Sequence, residues 1–311
     1  MAALKAIKEI ALLLGPRKSM VAVATPAVGS APDSGALTAV ILNSGIVHRV
    51  GANRMSVDLA RTLAVHGINA VRFDLSGIGD SEPRNDDLAP WQASMADIRE
   101  ALDSLQASRR VSRVVLIGLC SGADQALVYG PQDPRVVGVV LIDPSIPTTR
   151  WYWVQYYKRQ ATNLESWRRL AWDPNSRWRL LARRIVGDQT EQTAPSEAES
   201  APRAQRRLQD EPEVRTYLGQ AYQRILAAGV HILTVTTGER TYRDQLMHAF
   251  PDVEFNDLIR LEHFDDADHV FSSPNPRQRA IDLIVSWVEE LQVSTGAVAE
   301  RPHPPLLEQA R

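Results

Sequence analysis

The sequence predicts an α/β protein in which a mostly parallel, eight-stranded sheet is flanked by helices and carries an inserted helical lid. Short apolar runs rich in β-branched residues alternate with longer stretches in which apolar residues recur every three or four positions. Alternation of strands and helices builds a parallel sheet with helices on both faces. A chain of 311 residues is long enough to bury such a core.

The predicted strands are short runs bounded by turn formers such as Gly, Pro and Asp. The five most apolar runs are Ala36–Leu42, Ala70–Phe73, Val114–Gly118, Val136–Ile142 and Val230–Val235. Three weaker runs, Ile10–Leu14, Met20–Val23 and Glu254–Arg260, suit two antiparallel strands at the start of the chain and an edge strand near its end. Amphipathic helices are predicted over Arg54–His66, Trp91–Leu105, Asp124–Tyr129 and Gln278–Leu291.

A long aromatic segment interrupts the alternation. Residues 148–228 contain five of the seven tryptophans and are predicted to form the helical lid, with a flexible polar loop at 187–203. Residues 1–147 and 229–293 then form the two parts of the core. The proline-rich tail at 294–311 is predicted to be disordered.

Composition excludes several classes of protein. Apolar residues make up 44% of the chain and charged residues 23%, which is typical of a globular protein and not of a disordered or collagen-like one. The net charge of −2 argues against nucleic acid as a partner, and a single cysteine excludes disulfides within the chain and cysteine-rich zinc sites. No long apolar stretch or secretory leader is recognised, so a cytoplasmic protein is expected.

The most informative motif is a G-x-C-x-G sequence placed between a strand and a helix. Gly118, Cys120 and Gly122 follow the apolar run Val114–Ile117 and precede a helical pattern. This arrangement resembles the nucleophile elbow of the α/β-hydrolase fold, usually written G-x-S-x-G. The elbow's sharp turn requires small residues on either side of the nucleophile, and the helix N-terminus favours a thiolate. The alternative is that Cys120 is a small buried apolar residue.

Three further motifs support this resemblance. The D-x-x-G-x-G-x-S sequence from Asp74 to Ser81 resembles a loop that follows the fourth strand in this family, where its aspartates cap and hold the loop. The resemblance implies an oxyanion hole formed by backbone N–H groups of Gly45 or Ile46 and of Ser121. His269, in a D-H-x-F sequence before the last helix, matches the family's general base.

The catalytic acid is the part of the pattern that departs from the family. The family places Asp or Glu after the seventh strand, commonly as G-x-x-D, and Thr241 stands at that position here. Glu239 is the first candidate to replace it, slightly ahead of Asp143 and Asp244. A weak or missing acid matters less for cysteine than for serine, because a thiol with a pKa near ~8.5 can pair with imidazolium as a thiolate.

A closer resemblance is to particular cysteine-containing members of the superfamily. The G-x-C-x-G elbow is similar to that of dienelactone hydrolases and polyhydroxyalkanoate synthases. The sequence V-G-x-x-R at Val50–Arg54, the Asp74–Ser81 loop and the G-L-C elbow together resemble hydrolases associated with exosortase and exopolysaccharide systems.

These motifs predict a hydrolase that acts on an ester or thioester through an acyl-enzyme at Cys120. An acyltransferase with the same Cys/His site is the first alternative, and a non-catalytic ligand-binding homologue is the second. Between Arg150 and Arg184 the predicted lid holds nine basic residues against two acidic ones. They suit a carrier-bound substrate such as a coenzyme A thioester, an anionic membrane surface, or simply a solvated helix face. No metal site is recognised and no cofactor is expected; Gly77-Ile-Gly79 lacks the third glycine and the following helix of a dinucleotide site.

Overall fold

A computed structural model describes residues 7–29, 37–109, 111–147, 212–238, 246–254 and 256–296. Its strands are β1 (Ile10–Leu14), β2 (Met20–Thr25), β3 (Leu37–Ile41), β4 (Asn69–Phe73), β5 (Arg113–Leu119), β6 (Val136–Ile142), β7 (His231–Thr237) and β8 (Ile259–Phe264). Its principal helices are α1 (Met55–Val65), α2 (Pro90–Arg109), α3 (Ser121–Tyr129), α4 (Pro212–Ala227) and α5 (Pro274–Gly296).

The eight strands form one sheet in the order β1-β2-β4-β3-β5-β6-β7-β8. The first strand pairs antiparallel with β2, and β2 pairs antiparallel with β4, whereas every other neighbouring pair is parallel. The predicted mostly parallel sheet is therefore confirmed. Because the carboxyl ends of its parallel strands meet at one edge, the loops after β3, β5, β6 and β8 converge there.

Hydrophobic burial fixes the sheet between two layers of helices. On β3, alternate residues Leu37, Ala39 and Ile41 join a buried cluster that includes side chains of α1 and α5. Helices α2 and α3 contact each other. Strands β3 and β6 are buried along their whole length, which explains why they read as continuous apolar runs in the sequence.

The last strand differs from the prediction. The sequence pattern placed it at Glu254–Arg260, but β8 runs from Ile259 to Phe264. Before it, the Leu258 N–H donates to the Asn256 side chain at 3.0 Å and the Ile259 N–H donates to the Asn256 carbonyl at 3.0 Å. This turn around Asn256 prevents an earlier start. The edge position leaves β8 half exposed, so it alternates apolar and polar residues and lacks a continuous apolar run.

The described residues fall into two compact units. The first unit holds the sheet and comprises the chain up to Ser145, Leu218–Arg243 and the chain from Asp252 onward. The second unit comprises Ile146–Tyr217 and Asp244–Pro251. Most of the predicted lid, its loop at 187–203 and the tail lie outside the described residues, so those predictions stay predictions. Among the helices that are described, none has the length and apolar character needed to cross a bilayer.

Candidate active site

Cys120 occupies a sharp turn between β5 and α3. Its backbone has φ 56° and ψ −119°, a conformation that non-glycine residues seldom adopt. The turn is held on both sides: the Cys120 N–H donates to the Ile142 carbonyl at 2.9 Å, and the Cys120 carbonyl accepts from the Ala123 N–H at 2.9 Å. Strain that the surroundings maintain in this way is typical of functional positions. The geometry is that of a nucleophile elbow.

Close backbone contacts explain the two glycines of the elbow. A Cβ atom on Gly118 would lie 2.1 Å from the carbonyl carbon of Gly122, and one on Gly122 would lie 2.4 Å from the carbonyl oxygen of Asn43. Both distances are far below van der Waals contact, and the clashing atoms belong to the backbone. A side chain on Gly118 would push β5 away from the start of α3, and one on Gly122 would push α3 away from the loop after β3.

We expect Gly122→Ala to lower the free energy of unfolding by about 2 kcal/mol, although alanine is the better helix former. Gly45→Ala is the matched control, because its methyl group meets no described atom within 4 Å. That control carries only the strain of a positive φ, about 1 kcal/mol. Urea unfolding of both variants measures the difference. A Gly122→Ala variant as stable as the wild type would contradict the close contact with Asn43.

His269 and Asp143 approach each other from two loops at the carboxyl edge of the sheet. Asp143 follows β6 directly, His269 lies between β8 and α5, and the His269 Nδ1 atom is 2.9 Å from Asp143 Oδ2. The Asp143 carboxylate is buried and also accepts hydrogen bonds from the Thr237 N–H at 2.7 Å and the Thr237 hydroxyl at 2.5 Å. Its oxygens are therefore fixed while one of them faces the imidazole.

Hydrogen bonding raises the pKa of His269 to about 10. The largest cause is the hydrogen bond with Asp143, followed by a hydrogen bond with Cys120, while partial burial of the ring acts in the opposite direction. Cys120, His269 and Asp143 thus form a continuous chain of contacts. A histidine with this pKa is an imidazolium at neutral pH, so it can donate a proton there.

Among the acid candidates that the structure describes, Asp143 contacts His269. Glu239 and Asp244 lie outside the described residues. The sequence did not single out Thr237, which holds Asp143 in place. The signal available for it was weak: a hydroxyl residue shortly after the predicted strand Val230–Val235, where the neighbouring strand ends just before Asp143.

The loop after β3 brings the predicted oxyanion residues to the elbow. The Gly45 N–H donates to the Ser121 hydroxyl oxygen at 2.7 Å. Ile46 lies at the tip of a turn closed by a hydrogen bond of 2.9 Å from the Val47 N–H to the Ser44 carbonyl, and its N–H has no partner among the described residues. Ser121 begins α3, where backbone N–H groups have no acceptor within the helix. Gly45 therefore contacts Ser121, the residue after Cys120, and Ile46 is its neighbour in the same turn.

The Asp74–Ser81 loop is a scaffold, as predicted. Asp74 is fully buried and accepts hydrogen bonds from the Arg49 N–H and guanidinium and from the Asn43 side chain. The Ser81 hydroxyl donates to the Asp74 carbonyl at 2.8 Å. Gly79 has φ +56°, and a Cβ there would collide with the Asp74 carboxylate. These bonds hold the loop after β4 against the loop after β3.

Local contacts also hold the His269 loop in position. The Asp268 carboxylate accepts from the Ser272 N–H at 2.7 Å and the Ser272 hydroxyl at 2.6 Å, and these bonds lower the pKa of Asp268. Phe271 is fully buried in the core. The Asn53 amide, from the V-G-x-x-R segment, donates to the Val270 carbonyl at 2.9 Å. The D-H-x-F sequence therefore presents His269 on a loop anchored on both sides.

A small apolar pocket lies beside the elbow. It is lined largely by apolar side chains from β3, β5, β6, α1 and the ends of these strands, including Leu42, Met55, Leu59, Ile117, Leu119 and Ile142. Leu119 directly precedes Cys120, so the pocket adjoins the candidate nucleophile. Within the described part of the chain, no group of three or more His, Cys, Asp or Glu side chains could hold a metal ion.

An elbow on this sheet, with a histidine and an acid at its carboxyl edge, defines an α/β hydrolase. A family model agrees with the fold. It matches residues 37–230, from β3 to the residue before β7, and the chain belongs to the family it describes, the serine aminopeptidases S33.

Comparisons with solved structures show the same fold. The chain resembles the esterase Est1E of Butyrivibrio proteoclasticus with a TM-score of 0.55 at 10% identity, covering 91% of this chain and 99% of that one. It resembles the proline iminopeptidase of Mycobacterium smegmatis with a TM-score of 0.55 at 12% identity, covering 93% and 100%. The esterase Pf2001 of Pyrococcus furiosus gives 0.53 at 11% identity, covering 92% and 93%.

A curated relative matches part of the chain at higher identity. The polyketide transferase grgF of a Penicillium species is 33% identical over 96 residues, which are 30% of this chain and 32% of the relative. The match thus spans about a third of that protein's length. The chain is a hydrolase-like member of an enzyme superfamily, and its neighbours include esterases and a peptidase.

Proposed function

We propose that the protein transfers acyl groups through a covalent thioester at Cys120 and that hydrolysis of an ester or thioester is its main reaction. The chain of contacts from Cys120 through His269 to Asp143 is the observation that supports this most directly. A cysteine in a strained elbow beside an imidazolium has the environment of a reactive thiolate. We assign the acid to Asp143 in preference to Glu239 or Asp244.

The proposed reaction has two steps. The Cys120 thiolate attacks the acyl carbon, and the tetrahedral intermediate collapses as the bond to the leaving group breaks and His269 gives its proton to that group. Neutral His269 then takes a proton from water as the water attacks the thioester. Collapse of the second intermediate releases the carboxylic acid and restores the thiolate and imidazolium. Donors beside the acyl oxygen stabilise both intermediates.

Transfer to an alcohol or amine is the second candidate. The partial match to a polyketide transferase favours it, and a thioester intermediate reacts readily with such acceptors. The apolar pocket beside the elbow suits the acyl chain in either reaction.

Intact-protein mass spectrometry tests this proposal. Wild type and Cys120→Ala are mixed with a panel of activated esters and acyl thioesters of increasing chain length. We expect a transient acyl adduct on the wild type alone, and its decay with and without added alcohols or amines separates hydrolysis from transfer. An equal adduct on Cys120→Ala, or no adduct from any donor with a thiol that alkylates as slowly as free cysteine, would overturn the proposal and favour a ligand-binding homologue.

A further inference from the structure

The Ser121 hydroxyl lies where the oxyanion donors converge. The Gly45 N–H, one of the two candidate donors from the loop after β3, points at the Ser121 hydroxyl oxygen over 2.7 Å. That N–H is therefore engaged with the side chain next to the nucleophile. Ser121 is the first residue of α3 and follows Cys120 directly, so its position depends on the same elbow.

The hydrogen bond from Gly45 leaves the Ser121 proton available. A serine hydroxyl has one proton to donate and two lone pairs that accept. The Gly45 N–H occupies one lone pair, and no acceptor for the proton is found among the described residues. A hydroxyl whose oxygen accepts from a backbone donor turns its proton away from that donor. Because Ser121 is partly exposed, its proton can reach an acceptor that enters the site from solvent.

We propose that the Ser121 hydroxyl donates a hydrogen bond to the oxyanion of the tetrahedral intermediate. Gly45 is then a positioning residue that holds the Ser121 oxygen, while the N–H groups of Ser121 and Ile46 complete the hole. The hydrogen bond from such a side chain is stronger in the transition state than in the ground state, because charge develops on the acyl oxygen only during attack. This inference rests on the proposed acyl transfer at Cys120.

Two reactions of the same thiol separate this role from others. Acylation by p-nitrophenyl acetate passes through an oxyanion, whereas alkylation by iodoacetamide displaces iodide and forms none. Both rate constants are measured in single turnover for wild type, Ser121→Ala and Ser121→Thr. We expect Ser121→Ala to slow acylation by about 10²-fold, the usual effect of removing one oxyanion donor, and to leave alkylation and its pH profile unchanged. Ser121→Thr, which keeps the hydroxyl, is expected to recover most of the acylation rate.

Three outcomes would overturn the inference. Unchanged acylation in Ser121→Ala would show that the hydroxyl does not donate to the oxyanion. Faster acylation would show that the hydroxyl blocks the Gly45 N–H. Equal slowing of acylation and alkylation would show that the Ser121 hydroxyl affects the reactivity of the thiol and not the oxyanion. If the proposed function itself is wrong, the wild type forms no acyl adduct at all, which distinguishes that failure from the other three.

Discussion

Replacing Cys120 by serine is expected to slow acylation by about 10³-fold or more, although serine is the residue after which the family is named. The pKa of His269 lies near 10, so at neutral pH the imidazole already carries a proton and cannot accept one from a serine hydroxyl. Removing the thiol removes its hydrogen bond to His269 and lowers the histidine pKa in part, but the hydrogen bond with Asp143, the largest cause of the raised pKa, remains. The serine would still have to give up its proton during attack, a step that a thiolate avoids.

Single-turnover acylation by p-nitrophenyl acetate measures this effect across pH 5 to 10. Cys120→Ser is expected to gain rate as pH rises, because deprotonation of His269 creates the base that serine requires. The thermal unfolding of the variant serves as the control for folding, since the two side chains differ by one atom. A serine variant within tenfold of the wild type at pH 7 would contradict a thiolate–imidazolium mechanism.

The sequence predicted the elbow correctly because its demands are local. Gly118 and Gly122 are needed at fixed spacing from Cys120, and the close contacts with Gly122 and Asn43 are the reason. The buried central strands were equally visible, since burial on both faces leaves continuous apolar runs. The edge strand β8 was placed too early because half-exposed strands lack such runs, and because a turn at Asn256 delays its start.

Which carboxylate contacts His269 was not visible in the sequence because it depends on a contact across the sheet. Asp143 and His269 are separated by 126 positions, and what brings them together is the order of β6, β7 and β8. An aspartate followed by proline is also a common turn, so its local pattern is uninformative. The contact between Gly45 and Ser121 was hidden for the same reason: the motifs predicted both residues at the site but not which atoms would meet.

Asp143→Asn is expected to lower kcat/KM for ester hydrolysis by about 10³-fold at neutral pH. The asparagine amide has one acceptor oxygen where the carboxylate has two, and Thr237 donates to both carboxylate oxygens. An oxygen that stays with the Thr237 N–H leaves the amide NH₂ group facing His269, which favours the wrong tautomer of the imidazole. The loss of the carboxylate also removes the largest cause of the raised His269 pKa.

The sign of the pH effect follows from that pKa. In the wild type the His269 imidazolium persists until pH approaches about 10. Activity that needs this imidazolium as a proton donor is therefore present below that pH and falls as pH rises through it. In Asp143→Asn the fall is expected nearer the ordinary histidine pKa of ~6.5. The pH dependence of kcat/KM, measured from pH 5 to 11 for both proteins, gives the pH at which each loses activity.

Asp124→Asn is the matched control for Asp143→Asn. Asp124 is a partly buried carboxylate that accepts two hydrogen bonds, from the Ser145 N–H at 2.8 Å and the Ser145 hydroxyl at 2.6 Å, but it has no hydrogen bond with His269. Burial raises the pKa of Asp124 to about 6, and Asp124→Asn removes a carboxylate of similar hydrogen bonding that does not contact His269. The control is expected to keep the alkaline limb near pH 10. If Asp143→Asn keeps it there as well, the acid is another residue, and Glu239 and Asp244 become the next variants to measure.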